Sequence, residues 1–499
     1  MKTTIVGCCA LLEESGPAWG RVDIEIDGRL VSDIRPAGVT EPAAGAVVDG
    51  SRLFVTAGLI NGHHHSHEGF YKGRRDNLPL ELWMNYVRPL RPIPMSPRDV
   101  YLRTMIGAIE AVRSGTTTLC DDTNQSPAIR ADHVAQIFQA YEDIGVRANV
   151  GVTLFDRPFF RAVPFVDEEF PPALLAELDA VRMYSGSELL DFARGLARTR
   201  HPSTHRVAYM ATPSAPQRCS EDFLRAVRRM ADEFDLPLMI HVQETRMQVV
   251  TGHLFYGSTM IEYLERIGFL KPKTALIHAV WLTPREIELM ARRGVTVQHN
   301  PTSNLKLGSG LLPMRALLEA GVNVSLGTDG CGSIESTDMQ GVLSFTALLH
   351  KLRGAHAGWI GAGEAFHAAT MGGAIALGRE RELGALTIGR VADLVGYRLD
   401  RIPFVPLNAP LNQLVYAAGR SEVDLVLVDG EIVLRDGRLT RIDEAAILDE
   451  IAEAHARIEP HLAASEADVA RIAPHYERIH RRCACLDIAE DTYAARFET

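Results

Sequence analysis

The sequence has few cysteines and no long apolar run. Its 499 residues include seven cysteines and 7% aromatic residues. No apolar stretch reaches the roughly 18 residues that a membrane-spanning helix needs, so no membrane partner is expected. The cysteines are odd in number and scattered along the chain, which is atypical of a disulfide framework. The sequence therefore predicts a cytoplasmic protein with free thiols.

Positive charge is also scarce. Lys and Arg together number 52 against 63 Asp and Glu, which gives a net charge of −11. An acidic balance disfavours nucleic acid as a partner. Apolar residues make up 46% of the chain, which is ordinary for a globular enzyme and too high for a disordered chain. A small molecule is the expected partner.

Two kinds of pattern divide the chain. Residues 1–55 and 385–440 show short alternating strands with turns such as Asp27-Gly28, whereas residues 56–384 alternate strand-like runs with helical stretches. About eight strand–helix units predict an α/β fold, a (β/α)₈ TIM barrel. The two terminal segments are predicted to build one small composite β-sandwich domain. Residues 441–499 are predicted to form a helical extension.

Histidines cluster just after the first predicted barrel strand. In an extended segment His63 and His65 project to the same side, and two imidazoles at a barrel mouth form half of a metal site. His64 points the other way. His67 shares the face of the first pair if the strand continues, so it is the alternative ligand. A solvated histidine-rich loop is the other interpretation of this segment.

Later strands also end in groups that can bind metal or transfer protons. His241 ends a buried strand with Glu244 three residues on, and further strands end at His278, His299 and Asp329. Each of these positions is ambiguous alone. Because the carboxyl ends of parallel strands converge at one face of a barrel, the set together predicts a metal-dependent active site.

Several segments together resemble a known family. The segment GLINGHHH at 58–65 looks like the signature of the amidohydrolase superfamily. Within that superfamily, further segments resemble the branch that contains the triazine hydrolases and the S-adenosylhomocysteine/methylthioadenosine deaminases. The segments that carry this narrower resemblance are NLPLELW at 77–83, SGTTT at 114–118, HNPTSNLKLGSG at 299–310, GTDG at 327–330 and ELGALTIGRVADLV at 382–395.

The resemblance implies a metal site and its ligands. It implies one divalent ion, zinc with iron(II) as the alternative, held by His63, His65, His241 and Asp329. In two-metal members a Lys or Glu on the fourth strand bridges the ions. The matching segment here, residues 207–213, contains neither residue type, which favours a mononuclear site.

The resemblance also implies a reaction. A divalent metal lowers the pKa of its bound water to about 7, and the resulting hydroxide attacks a ring carbon. Glu244 would donate a proton to the ring nitrogen, Asp329 would take the proton of the water, and His278 would steady the intermediate. The expected function is hydrolytic release of ammonia from an amino-substituted purine, pterin, pyrimidine or triazine.

Other readings stay open at this point. The same site could remove chloride or an alkylamine from a triazine-like ring or hydrolyse a cyclic amide, and an inactive scaffold is a remote alternative. Trp83, Gln217 and His299 are candidate substrate contacts, although packing or structural roles are more typical of the first two and equally typical of His299. The helical tail indicates a homodimer or a larger homo-oligomer.

Overall fold

The structure is a computed structural model that describes residues 2–12, 18–38, 45–88, 92–125, 129–181, 185–487 and 492–493. Among these residues, no helix is both long enough and apolar enough to cross a bilayer. All seven cysteines are free thiols, and Cys485 alone among them is exposed.

Seventeen strands are present in the described part of the chain. In order they are β1 Lys2–Leu11, β2 Trp19–Asp27, β3 Leu30–Pro36, β4 Ala46–Asp49, β5 Leu53–Ala57, β6 Leu59–His64, β7 Thr116–Thr123, β8 Arg147–Val152, β9 Val207–Tyr209, β10 Leu238–Val242, β11 Thr274–His278, β12 Thr296–His299, β13 Asn323–Leu326, β14 Leu394–Arg398, β15 Val423–Val428, β16 Glu431–Arg435 and β17 Arg438–Leu439.

Helices separate the barrel strands and follow the last strand. Within the described residues they are α1 Leu80–Val87, α2 Pro97–Arg113, α3 Ala131–Ile144, α4 Val166–Glu169, α5 Pro172–Asp179, α6 Gly186–Thr199, α7 Glu221–Glu233, α8 Arg246–Tyr256, α9 Met260–Arg266, α10 Pro284–Arg293, α11 Pro301–Lys306, α12 Met314–Glu319, α13 Cys331–Ile334, α14 Met339–Leu349, α15 Ala362–Ala369, α16 Met371–Ala376, α17 Pro410–Tyr416 and α18 Glu444–Cys485.

Strands β6 to β13 form the barrel. They pair in parallel as two runs of four, β6-β7-β8-β9 and β10-β11-β12-β13. Ala211 bridges Leu238 in parallel, which joins the first run to the second. At the other seam the backbone N–H of Asp329 donates to the carbonyl of His63 at 3.0 Å. The side chain of Asn61 also donates to the hydroxyl of Thr328 at 2.8 Å. The predicted TIM barrel is therefore confirmed, with the strand carboxyl ends on one face.

Strands from the two chain ends form one further sheet. Nine described strands are arranged as β17-β16-β15-β14-β5-β1-β2-β3, with β4 pairing β1. Strand β5 pairs in parallel with β1 on one side and antiparallel with β14 on the other. An apolar cluster that includes Ile5, Ile24 and Leu427 packs against it. Distant segments thus share one core because neither end alone can cover its apolar face.

The long helix α18 packs against helices at the mouth of the barrel. It contacts α1, α2 and α8. Its buried positions Ile458, Leu462, Val469, Ile472 and Tyr476 recur at helical spacing, so one stripe faces the protein. Because α1 and α8 both line the pocket described next, the helical tail supports the walls of that pocket.

Candidate active site

Three histidines converge at the carboxyl ends of the barrel strands. His63 lies on β6, His65 follows that strand directly, and His241 lies on β10. One ring nitrogen of each lies within 4.8 Å of the others. The ring centres of His63 and His65 are 4.5 Å apart, and those of His63 and His241 are 4.9 Å apart.

Hydrogen bonds orient two of these rings. Nδ1 of His65 donates to the carbonyl of Asp122 at 2.6 Å, and Nδ1 of His241 donates to the carbonyl of Ser214 at 2.9 Å. Each Nε2 is therefore left with a lone pair for a ligand. Both ring nitrogens of His63 are buried without a hydrogen-bond partner. Burial and the neighbouring imidazoles hold the pKa of His63 and of His241 well below the ordinary value, which favours the neutral form that ligates metal.

Asp329 completes the donor set. Its Oδ1 lies 3.6 Å from Nε2 of His63 and 3.4 Å from Nε2 of His65. Its Oδ2 accepts a hydrogen bond from the hydroxyl of Ser303 at 2.6 Å. The residue follows β13 with a φ of +70°, an unusual backbone conformation for a non-glycine residue that is typical of functional sites. Imidazole nitrogens with one carboxylate suit zinc or iron(II).

The alternative ligand His67 has a different environment. Its Nδ1 accepts a hydrogen bond from the backbone N–H of Asn124 at 3.1 Å, and its Nε2 lies 4.0 Å from Glu68 Oε1. It is not among the histidines whose nitrogens cluster in the described residues. His64 turns away, with Nδ1 3.3 Å from the carbonyl of Asp329.

Glu244 and His278 lie beside the histidine cluster. Oε2 of Glu244 is 3.4 Å from Nε2 of His278, which is 3.9 Å from Oδ2 of Asp329. Nδ1 of His278 donates to the side-chain oxygen of Asn304 at 2.8 Å, and the hydroxyl of Ser309 donates to Oε1 of Glu244 at 3.1 Å.

The local environment sets the protonation of this pair. Burial, together with the charges of Asp329 and Glu81, raises the pKa of Glu244 well above its ordinary value. Burial lowers the pKa of His278. The pair therefore favours a protonated carboxyl beside a neutral imidazole, and such a carboxyl can donate a proton.

A pocket opens from these groups toward α1, α8 and the loop after β9. Trp83 and Gln217 line it, as do Glu81, Arg88 and Arg218. Trp83 donates its indole N–H to the carbonyl of Gly332 at 3.1 Å. The Arg218 guanidinium lies 4.3 Å from the centre of the Phe155 ring. Burial lowers the pKa of Arg218 to about 9.

The pocket is narrow. Its volume is about 60 Å³, which has room for a few water molecules. Met84 and Met247 also line the pocket, and their flexible side chains can adapt to the shape of a bound ring.

His299 lies elsewhere. It is absent from the described residues that line the pocket, and its Nε2 lies 3.1 Å from Nε2 of His350. On β12 the preceding residue, Gln298, packs against Gly62. Because side chains alternate along a strand, His299 then faces the opposite side. The structure therefore does not bring His299 to the substrate side of the site.

Sequence reasoning missed several members of the site. Glu81 and Arg88 line the pocket, and the carboxyl of Glu68 accepts a hydrogen bond from the N–H of Gly332 at 3.0 Å. Glu81 lies inside the segment at 77–83 that carries part of the family resemblance, which was the available signal. Arg88 follows the end of a helix and not the end of a strand, so no comparable signal identifies it.

Comparisons with known proteins agree with this geometry. The model of the Amidohydrolase family matches residues 54–433. A 5'-deoxyadenosine deaminase of Methanothermobacter thermautotrophicus is 34% identical over 432 residues, covering 86% of this chain and 93% of that protein. A 5-methylthioadenosine/S-adenosylhomocysteine deaminase of Desulforudis audaxviator is 33% identical, covering 86% and 92%. The crystal structure of an adenosine deaminase from Xanthomonas campestris with bound zinc superposes with a TM-score of 0.81 at 29% identity, covering 92% and 98%.

Proposed function

The chain belongs to the amidohydrolase family and is a hydrolase that deaminates an aminated heterocycle. From this premise we propose that its substrate is a 6-aminopurine nucleoside and that it binds one zinc ion. The observation that carries the proposal is the Glu244 carboxyl held 3.4 Å from His278 next to the three clustered histidines. A protonated acid at that place suits attack on a ring carbon beside a ring nitrogen.

The pocket supports a nucleoside as substrate. Trp83 and Phe159 line it and offer flat faces to a ring. Oε2 of Glu81 is buried without a hydrogen-bond partner in the same pocket. An acceptor of this kind would suit the hydroxyl groups of a sugar, and a buried acceptor left unpaired is unfavourable. The names of the relatives point to the same class of substrate.

The donor set fits a single metal ion. His63, His65, His241 and Asp329 would hold it, since their donor atoms converge and the His63 nitrogens have no other partner. Strand β9, Val207–Tyr209, offers no Lys or Glu for a second ion. When bound, a divalent ion supplies Lewis acidity that makes water a stronger acid near neutral pH.

The chain's own groups would move the protons. Water adds to the ring carbon that bears the amino group while Asp329 accepts a proton from it. Glu244 delivers a proton to the adjacent ring nitrogen, and His278 donates to or accepts from the oxygen that has been added. The carbon–nitrogen bond then breaks as Asp329 passes its proton to the amine and the proton of the added hydroxyl returns to Glu244, so that one water is consumed, one ammonia leaves and the ring carbon becomes a carbonyl.

A substrate panel tests the proposal. Purified zinc-loaded protein should release ammonia from adenosine, 5'-deoxyadenosine or 5'-methylthioadenosine more efficiently than from guanine or melamine. The alternative reaction, removal of chloride or an alkylamine from a triazine, would release those groups without ammonia. That result would overturn the nucleoside proposal. An absence of bound metal and of every activity would favour an inactive scaffold.

We also propose the organisation that the sequence patterns predict. Residues 1–55 and 385–440 would form a supporting β-domain, residues 56–384 the catalytic barrel, and residues 441–499 a helical extension in a cytoplasmic homo-oligomer. Light scattering of the purified protein tests the oligomeric state, and a monomer at micromolar concentration would contradict that part of the proposal.

A further inference from the structure

A second cavity lies beside the active-site pocket. It has a volume of about 450 Å³ and opens between the end of α1, the segment 92–96 and the loop after β7. Its titratable lining in the described residues is basic or neutral, with His67, Arg88, Arg103, Arg130 and His133 and no carboxylate.

Arg103 is the centre of this cavity's charge. It projects from α2, is only 5% exposed, and its Nε and Nη2 have no hydrogen-bond partner. Its Nη1 reaches only the sulfur of Met95, at 3.8 Å. Asp121 acts on it electrostatically, but that carboxylate already accepts from the N–H of Ser66 and the hydroxyl of Tyr141, both at 2.9 Å.

Arg88 belongs to both cavities. It lines the active-site pocket as well as the basic cavity, so it forms part of their boundary. Its Nη1 is buried without a hydrogen-bond partner. Asp122 and Glu68 act on its charge from a distance, while the Oδ1 of Asp122 accepts from the hydroxyl of Thr153 at 2.7 Å.

Buried guanidinium groups without a partner are unfavourable unless an anion joins them. This basic lining occurs in a chain with a net charge of −11, so it is not a general property of the surface. We propose that the cavity is an anion-binding pocket that takes a phosphate or carboxylate group, with Arg103 and Arg88 as the hydrogen-bond donors. Guanidinium groups bind both anions through paired N–H donors.

The anion can come from two sources with the same chemistry. One is an acidic arm of the substrate, which would pass Arg88 while the amino-bearing ring lies in the active-site pocket. This source rests on the proposed function. The other is a separate small anion that binds independently of the reaction. The anion site itself stands apart from the proposed function, because it depends on the geometry of the basic cavity alone.

Phosphate binding to the full metal-loaded chain tests the site. Calorimetric titration with inorganic phosphate should show saturable binding, and Arg103→Gln should weaken it by at least about tenfold, because charge-assisted hydrogen bonds are lost. Arg130→Gln is the matched control. Arg130 lines the same cavity but is already paired with Asp132 through bonds of 3.1 and 2.6 Å, so its loss should weaken binding by less. Equal weakening by both variants, or no binding to the wild type, overturns the proposal.

Thermal unfolding gives a second readout. Phosphate should raise the unfolding temperature of the wild type in proportion to its occupancy. Without phosphate, Arg103→Met should unfold at the wild-type temperature or above it, since an unpaired buried charge is removed and the apolar length is kept. A strongly destabilised Arg103→Met, together with a wild type that phosphate does not stabilise, would make Arg103 a purely structural residue.

Kinetics distinguish the two sources. With adenosine 5'-phosphate and adenosine as paired probes, a substrate arm in the cavity predicts that inorganic phosphate raises KM for the phosphorylated probe only. Arg103→Gln should then lower kcat/KM at least about tenfold for that probe alone. A separate anion predicts equal effects on both probes. If neither probe is deaminated, the proposed function fails, while the phosphate titration still decides whether the anion site exists.

Discussion

The two halves of the barrel contribute to the site in different ways. In the first half, β6 to β9, the end of β6 presents His63 and His65, while the carboxyls at the end of β7 accept hydrogen bonds from Ser66, Tyr141 and Thr153. In the second half, β10 to β13, His241 lies on β10, His278 ends β11 and Asp329 follows β13. The first half therefore supplies two histidines of the proposed metal site. The second half carries every group assigned to proton transfer.

The largest expected effect concerns the seam where both halves meet. His63→Ala in the first half and His241→Ala in the second should each lose the metal and all measurable turnover, because each removes one of the converging donors. Elemental analysis of chelator-free protein provides the check, against about one ion per wild-type chain. His461→Ala on the exposed face of α18 is the control. Full metal retention in either variant would remove that residue from the ligand set.

A second-half substitution should separate chemistry from metal binding. Glu244→Gln keeps the shape of the side chain but cannot deliver a proton. We expect kcat to fall by about 10²- to 10⁴-fold, with the metal content unchanged. Single-turnover assays and elemental analysis measure the two quantities. Loss of metal would make Glu244 a ligand, and near-normal turnover would favour a leaving group that departs without protonation.

A smaller effect is expected for Asn304, which contacts His278 and not the substrate directly. Asn304→Ala removes the oxygen that accepts from Nδ1 of His278, so the ring loses its fixed orientation. We expect turnover to fall by about 10- to 100-fold, with normal metal content. Asn304→Asp keeps an acceptor at that place and should recover most of the activity. Equal defects in the two variants would indicate a packing role instead.

The smallest effect is expected for His67, the alternative ligand in the first half. His67→Ala should retain the metal and change turnover little, because its Nδ1 is bonded to the backbone of Asn124 and its ring is outside the cluster. Metal content again provides the measurement. A variant without metal would show that His67 replaces one of the assigned ligands. The contribution of the first half to the metal site would then have to be reassigned.

The same contrast explains what could be predicted from the sequence. The strand-end rule identified His241, His278 and Asp329 because parallel strands converge at their carboxyl ends. Function and family were predicted from motifs, and the comparisons confirm both.

The rest depends on tertiary packing. Glu81 and Arg88 reach the pocket because α1 folds over the barrel mouth, and no periodic pattern encodes that placement. His299 ends a strand like its neighbours, yet strand alternation turns it toward His350. Proline inside an otherwise helical pattern argues against a continuous helix. Nevertheless α18 runs through Pro460 and Pro474, where packing against α1, α2 and α8 holds it.

The sheet shared by the two chain ends has a consequence for synthesis. Ala57 of β5 pairs with Leu394 of β14, so roughly 340 residues separate the two strands in the chain. At about 5 to 20 residues per second, a ribosome needs on the order of 20 to 70 s to make the intervening barrel. During that time the outer edge of β5 has no partner and can pair with another nascent chain. This protein should therefore depend on chaperones at an early stage of its synthesis, before its active site exists.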